Sequence, residues 1–164
     1  MSNDDRAGLD DLQAAENLTT QGSQKLPILL VEDEPDQALL VQDVLKDDSA
    51  FALLHVVGSG EEAIAYLSGA GRFADRTTYP FPFLMLLDLK MPGIGGFGVL
   101  RWLRTHPDVD RRLHTVVLSS AQSSDEIELA GGLGVKWYWV KSDWMQLQQR
   151  IRHLKLSLAE EDPW

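Results

Sequence analysis

Residues 83–100 read FLMLLDLKMPGIGGFGVL. Five apolar residues, Phe83 to Leu87, end at Asp88; Pro92, Gly93, Gly95 and Gly96 follow before helical spacing begins near Phe97. A short, uninterrupted apolar run suits a strand buried on both faces, because such a strand has no solvent side for polar residues. The proline and glycines make a turn. The segment is therefore a strand, a carboxylate at its carboxyl end, and a helix.

The same unit recurs on both sides. Upstream, Ile28-Leu29-Leu30-Val31 is a second short apolar run, followed by Glu32, Asp33, Glu34 and Pro35. A helix then reaches about Lys46, with Ala38, Val41, Val44 and Leu45 at steps of three and four. Pro35 suits a first helical turn, where its missing N–H is no loss. Phe51 to Val57 reads as a strand, Glu61 to Leu67 as a short helix stopping near Gly69 and Gly71, and residues 69–82 as a long polar loop. Downstream, a helix is expected from about Phe97 to His106 and a strand over Thr115 to Ser119. A glycine-weakened helix over Ser124 to Leu133 and a strand over Trp137 to Val140 follow. Asp143 is expected to cap a last helix reaching about Leu158. Its residues Trp144, Leu147, Ile151, Leu154 and Leu158 alternate steps of three and four, a core-facing stripe too short for a coiled coil. Five strand–helix alternations predict an α/β fold: a parallel sheet, helices on both faces, right-handed crossovers.

The 164 residues suffice for one domain with a real core. It is expected over residues 26–156, between a polar acidic arm (1–25) with room for a short helix and an acidic tail (157–164). The two ends together carry six of the ten net negative charges. A pI near 4.7 argues against nucleic-acid binding, which needs a basic surface. The absence of cysteine removes disulfides, zinc ribbons, iron–sulfur clusters and thiol catalysis. No apolar run is long enough to cross a bilayer, and the acidic N-terminus has no secretory h-region. A soluble cytoplasmic protein is expected.

In open α/β sheets ligands bind outside the carboxyl ends of the strands. Those ends hold Glu32-Asp33-Glu34, Asp88, Ser119-Ser120 and Lys141. Any one of them has a plain structural use, an acid as a helix cap or a lysine as a solvated end. Together they make a set. Clustered carboxylates repel unless a cation lies among them, and oxygen donors without His or Cys suit magnesium or manganese. A lysine beside such a metal completes a clamp for a phosphoryl group, and a carboxylate within the clamp can be its nucleophile. The Ser119 hydroxyl can hydrogen-bond phosphoryl oxygens.

The stretches ILLVEDEPD, LLDLKMPGIGGFGVL, VVLSSA and WVKS resemble the receiver domain of bacterial two-component response regulators over about residues 26–156. The long 69–82 loop, the LRTHPD helix end and the lack of an output domain resemble stand-alone receivers partnered with phytochrome-type histidine kinases. The resemblance implies a flavodoxin-like (βα)5 three-layer sandwich with strand order 2-1-3-4-5. It implies Asp88 as phosphoacceptor and Glu32 and Asp33 as the acidic pair holding Mg2+. The backbone carbonyl of Lys90 is implied as a further metal ligand, Lys141 as the phosphoryl-pairing lysine, Ser119 as the switch hydroxyl and Tyr138 as the aromatic switch. A histidine kinase is the implied phosphodonor. Output is expected through protein contacts of the fourth helix, fifth strand and fifth helix, a face through which the family often dimerises. No DNA-binding segment fits in residues 157–164.

The pattern departs from the family in places. Ser142 stands where proline usually follows the lysine, and Gly95 replaces a common acid. Lys90 and Ala121, two residues beyond Asp88 and Ser119, do not obviously position a hydrolytic water, which predicts slow self-dephosphorylation. Trp102, Trp137, Trp139 and Trp144 are either core and edge packing or part of a dimer face. Arg101, Arg104, Arg111 and Arg112 read as a solvated basic patch. The alternative to a phosphate-accepting receiver is an interaction module of the same fold that does not use phosphate. A phosphatase with an aspartyl nucleophile is disfavoured by Lys90 standing where a second acid is needed. A dinucleotide site is disfavoured because the 131–134 GGLG precedes a strand instead of following one.

Overall fold

The computed structural model describes residues 26–46, 51–120, 123–141 and 144–161. The acidic arm, Ala121, Ser142 and the expected Asp143 cap lie outside the described residues.

The strands are β1 (Leu26–Val31), β2 (Phe51–Val57), β3 (Leu84–Asp88), β4 (His114–Ser119) and β5 (Trp137–Val140). They form one parallel sheet in the order β2-β1-β3-β4-β5. Alternate residues face opposite layers. Leu29, Val31, Met85, Leu87 and Val117 point into one core, and Ile28, Leu30, Leu84, Leu86, Val116 and Leu118 into the other. Burial on both faces explains why β1 and β3 are continuous apolar text.

Helices α1 (Pro35–Leu45) and α5 (Trp144–Glu161) cover the second of these faces through Ala38, Val41, Leu45, Leu147, Ile151 and Leu154. Helices α2 (Gly60–Ser68), α3 (Gly95–Arg104) and α4 (Ser124–Gly132) cover the first. The result is the flavodoxin-like three-layer sandwich. Helix α5 continues to Glu161, into the acidic segment set apart in the sequence. Among the described residues no helix is long and apolar enough to cross a membrane.

Local chemistry explains the boundaries. Pro35 opens α1. Ser59 caps α2 by accepting from the Glu62 N–H at 3.1 Å, and Gly69 closes it at φ 67°, a conformation that disfavours other residues. Helix α3 ends two residues earlier than expected. Pro107 keeps His106 out of helical geometry, with φ −128° and ψ 68°, and opens a separate one-turn helix over Pro107–Asp110.

The 69–82 segment is not simply a polar loop. It carries a 3-10 turn (Gly71–Phe73) and sends Phe73 and Tyr79 against Tyr66 and His55, with ring centroids 5.0 to 6.0 Å apart. The Arg76 guanidinium donates to the carbonyls of Tyr66 and Leu67, both at 2.8 Å, and of Tyr79 at 3.2 Å. It thereby satisfies the open C-terminal end of α2. The Tyr66 hydroxyl donates to the Pro80 carbonyl at 3.1 Å, and burial pushes its pKa up to about 12.

Trp137 and Trp139 pack, half-buried, against the α1/α5 core, and Trp102 against the other. Helix α4 is the least anchored of the long helices that cover the first face: Ala130 is its one buried residue, while Ile127 is 38% and Leu129 45% exposed.

Gly131 and Gly132 lie inside α4 with open space where a Cβ would sit, and neither has a positive φ; the left-handed residue is Gly134 at 91°. Gly131→Ala and Gly132→Ala are each expected to stabilise the chain by about 0.5 kcal/mol through lower unfolded-state entropy. Urea unfolding would show this as a higher midpoint at constant slope. Burial among the aromatic rings lowers the His55 pKa, and its Nε2 is buried without a hydrogen-bond partner. The unfolded chain therefore takes up this proton first as pH falls. Stability is expected to be full above the unfolded value of about 6.5 and to decline as pH drops through the folded one. His55→Phe should flatten that acid limb in urea midpoints compared at pH 7.5 and 5.5 (roughly one unit either side of the ordinary histidine value).

Candidate functional site

Sheet register brings the expected residues together. Val31 pairs with Leu87, Asp88 with Leu118, and Ser119 with Val140, so Glu32, Asp88, Ser119 and Lys141 arrive at one edge. Backbone bonds hold them there: the Glu32 N–H donates to the Val57 carbonyl at 3.0 Å and the Lys141 N–H to the Ser119 carbonyl at 2.8 Å. Helix α3 presses on the same place. A Cβ at Gly96 would lie 2.3 Å from the Asp88 carbonyl oxygen, so only glycine lets α3 approach without displacing Asp88.

Glu32, Asp88, Ser119 and Lys141 are the buried polar and charged side chains among the described residues. Lys141 Nζ lies 2.5 Å from Glu32 Oε2 and 3.4 Å from Asp88 Oδ1. Oxygen atoms of Glu32, Asp33 and Asp88 all lie within 4.8 Å of one another. Three carboxylates against one buried ammonium leave an excess of negative charge. The Asp88 pKa is raised. Burial is the main cause and Glu32 adds to it, against the opposing pull of Lys141 and the Lys90 N–H.

The donor set fits a hard divalent cation. All its oxygens are carboxylate, the excess charge is of the right sign and size, and Asp33 Oδ1 is buried with no hydrogen-bond partner. A buried carboxylate oxygen left unpartnered is costly unless something else satisfies it.

The remaining expected residues sit at the margin. The Lys90 N–H faces Asp88 Oδ1 at 3.4 Å, while its side chain is exposed and pairs with Glu126 at 3.3 Å. Tyr138 is half-buried against the α2/α3/α4 core and donates its hydroxyl to Glu126 Oε2 at 3.1 Å. Ser119 Oγ donates to the same oxygen at 3.4 Å. The Tyr138 pKa is raised, first by burial and then by the Glu126 charge, while a hydrogen bond with Ser119 lowers it.

Glu126 was not among the residues expected from sequence. Its visible signal there, an acid three residues after Ser123, is that of a helix N-terminus. Ser123 does cap α4, accepting from the Glu126 N–H at 3.5 Å. Nothing in the spacing shows that the carboxylate turns toward β4 and β5.

Known proteins agree with this architecture. Response regulator Rcp1 of Synechocystis is 36% identical over 115 residues, 70% of this chain and 76% of Rcp1. The crystal structure of the phosphorylated cyanobacterial phytochrome response regulator RcpA superposes with a TM-score of 0.73 at 32% identity, covering 82% of this chain and 96% of that one. The Mn2+-bound form of Rcp1 gives 0.68 at 33% identity, covering 77% and 91%. The response regulator receiver domain family matches residues 28–152, nearly the whole of the described sheet and its helices. With strand order, core and relatives in agreement, the chain belongs to the response regulator receiver domain family and is homologous to phytochrome response regulators.

Proposed function

We propose that this chain accepts a phosphoryl group on Asp88 from a histidine kinase, with Mg2+ bound by Glu32, Asp33, Asp88 and the Lys90 carbonyl. The observation that carries this is the buried convergence of three carboxylates with Lys141 and Ser119 at one sheet edge. An Asp88 carboxylate oxygen attacks phosphorus, the donor's P–N bond breaks, and its electron pair returns to the histidine nitrogen. Lys141, held beside Asp88, offsets charge on the phosphoryl oxygens, and Ser119 offers them a hydroxyl. A bound divalent cation supplies the remaining charge neutralisation. Likeness to phytochrome response regulators supports a phytochrome-type kinase as the donor, acting in the cytoplasm.

Output runs through the α4/β5/α5 face, where β5 is half-buried and α4 exposes Ile127 and Leu129. An apolar surface of this kind suits protein contact, including a second copy of the chain.

Intact mass after incubation with acetyl phosphate and Mg2+ tests the acceptor. One phosphoryl adduct is expected, dependent on Mg2+ and absent from Asp88→Asn. A folded, metal-binding protein that takes up no phosphate would point to a phosphate-independent interaction module. With Lys90 beyond the acceptor, the adduct is expected to decay slowly after donor removal.

Stability without metal offers a separate check. A carboxyl whose folded pKa is raised contributes most below its unfolded value and opposes folding as pH rises through the folded one. Asp88→Asn is therefore expected to raise the urea midpoint at pH 7 in EDTA. Mg2+ at ten times its Kd should stabilise the wild type by about 1.4 kcal/mol and the variant by less.

A further inference from the structure

Glu126 occupies an unusual place for a residue in the first turn of a helix. Its side chain is only 21% exposed and meets three donors from three different segments. Lys90 follows β3, Ser119 ends β4, and Tyr138 lies on β5. The contacts are Lys90 Nζ at 3.3 Å, Ser119 Oγ at 3.4 Å and the Tyr138 hydroxyl at 3.1 Å. Two of these donors belong to residues that flank the candidate acceptor, since the backbone N–H of Lys90 faces Asp88 Oδ1 and Ser119 lies one residue beyond the partner of Asp88 in β4.

A phosphorylated Asp88 carries up to two negative charges in place of the carboxylate's one and presents three strong acceptor oxygens here. The Ser119 hydroxyl has one proton and serves one strong acceptor at a time. The Lys90 ammonium likewise faces a choice between two anions. We propose that Glu126 is an internal anion that holds, in the unphosphorylated chain, the hydroxyl and ammonium donors that a phosphoryl group on Asp88 would take, and so sets how readily Asp88 is phosphorylated. The inference rests on Asp88 being the acceptor. Glu126 makes no bond to phosphorus; it is a positioning residue whose partners are exchanged.

The hold is built to be released. The Lys90–Glu126 pair is half-exposed and screened, so it adds little. The two hydroxyl-to-carboxylate bonds are part-buried and carry most of the restraint. When Ser119 turns to the phosphoryl group, the Glu126 carboxylate keeps Tyr138 alone and meets a new like charge. Because Glu126 belongs to α4, relief of that repulsion acts on the least anchored of the helices on this face.

The test uses the full chain labelled with 3-fluorotyrosine. Its three tyrosines give three fluorine resonances, and Tyr138→Phe identifies one of them. Glu126→Gln keeps the length of the side chain and a good residue for this helical position while removing the charge. It is expected to shift the Tyr138 resonance in the resting protein and leave those of Tyr66 and Tyr79 in place. Uptake from acetyl phosphate with Mg2+, followed by intact mass, should be roughly fivefold to tenfold faster, the scale of relieving one partly screened like charge. Glu126→Asp retains the charge but draws it back by one methylene. It should shift Tyr138 with a smaller gain in rate. Unchanged or slower uptake in Glu126→Gln, or an unmoved Tyr138 resonance, overturns the role of Glu126 while leaving Asp88 as acceptor. A wild-type chain that forms no adduct overturns the acceptor reading, and this one with it.

Discussion

The contact between Lys141 and Glu32 governs the architecture of the functional edge. The two residues are 109 positions apart, at the ends of β5 and β1, and the strands between them in the sheet are β3 and β4. Taking two charges out of water costs several kcal/mol each, and their mutual attraction repays this only with close geometry and further partners. Those partners are present: the Glu34 N–H at 3.2 Å on the other Glu32 oxygen, and Asp88 at 3.4 Å from the ammonium. Removing one member of such a pair typically costs about 3–5 kcal/mol, because the other is left buried and alone. The same residues that make the edge chemically useful therefore make it dependent on correct assembly of the sheet.

That dependence explains the packing on the far side of Asp88. An acid buried beside two other carboxylates, with one ammonium to offset them, needs its backbone fixed, or it would move to solvent. The fixing comes from β1 and β4 on either side and from α3 above, whose glycine at position 96 brings helix backbone against strand backbone. Rigidity beneath the carboxylates contrasts with looseness beside them. Helix α4 keeps one buried residue, so the element that carries Glu126 is joined to the sheet chiefly by polar contacts.

Much of this was legible in the sequence, for identifiable reasons. Strand β5 falls where its apolar text begins and ends, because a strand between turns has little freedom in its limits. Glu32, Asp33, Asp88, Ser119 and Lys141 were legible as a group because each stands at a strand terminus, and a parallel sheet brings all such termini to one edge. Glu126 was hidden, since its position is set by which way a side chain leaves a helix, and spacing along the chain does not encode that. The 69–82 segment was misjudged for a related reason. Its average composition is polar, yet Phe73 and Tyr79 find Tyr66 and His55, residues of another strand and helix. Helix α3 ends at Arg104, two residues short of the expected His106, because the apolar spacing stops at Leu103 and Pro107 keeps His106 out of helical backbone.

The bracing of α2 by Arg76 gives the molecule a mechanical asymmetry. One guanidinium ties three carbonyls across the end of the helix, and four aromatic rings close the space behind it. That flank is stiff, and deforming it means breaking several bonds at once. The opposite flank of the same layer, around α4, is compliant. Strain introduced on the central strand β3 would therefore meet more bonds to break on the α2 side than on the α4 side.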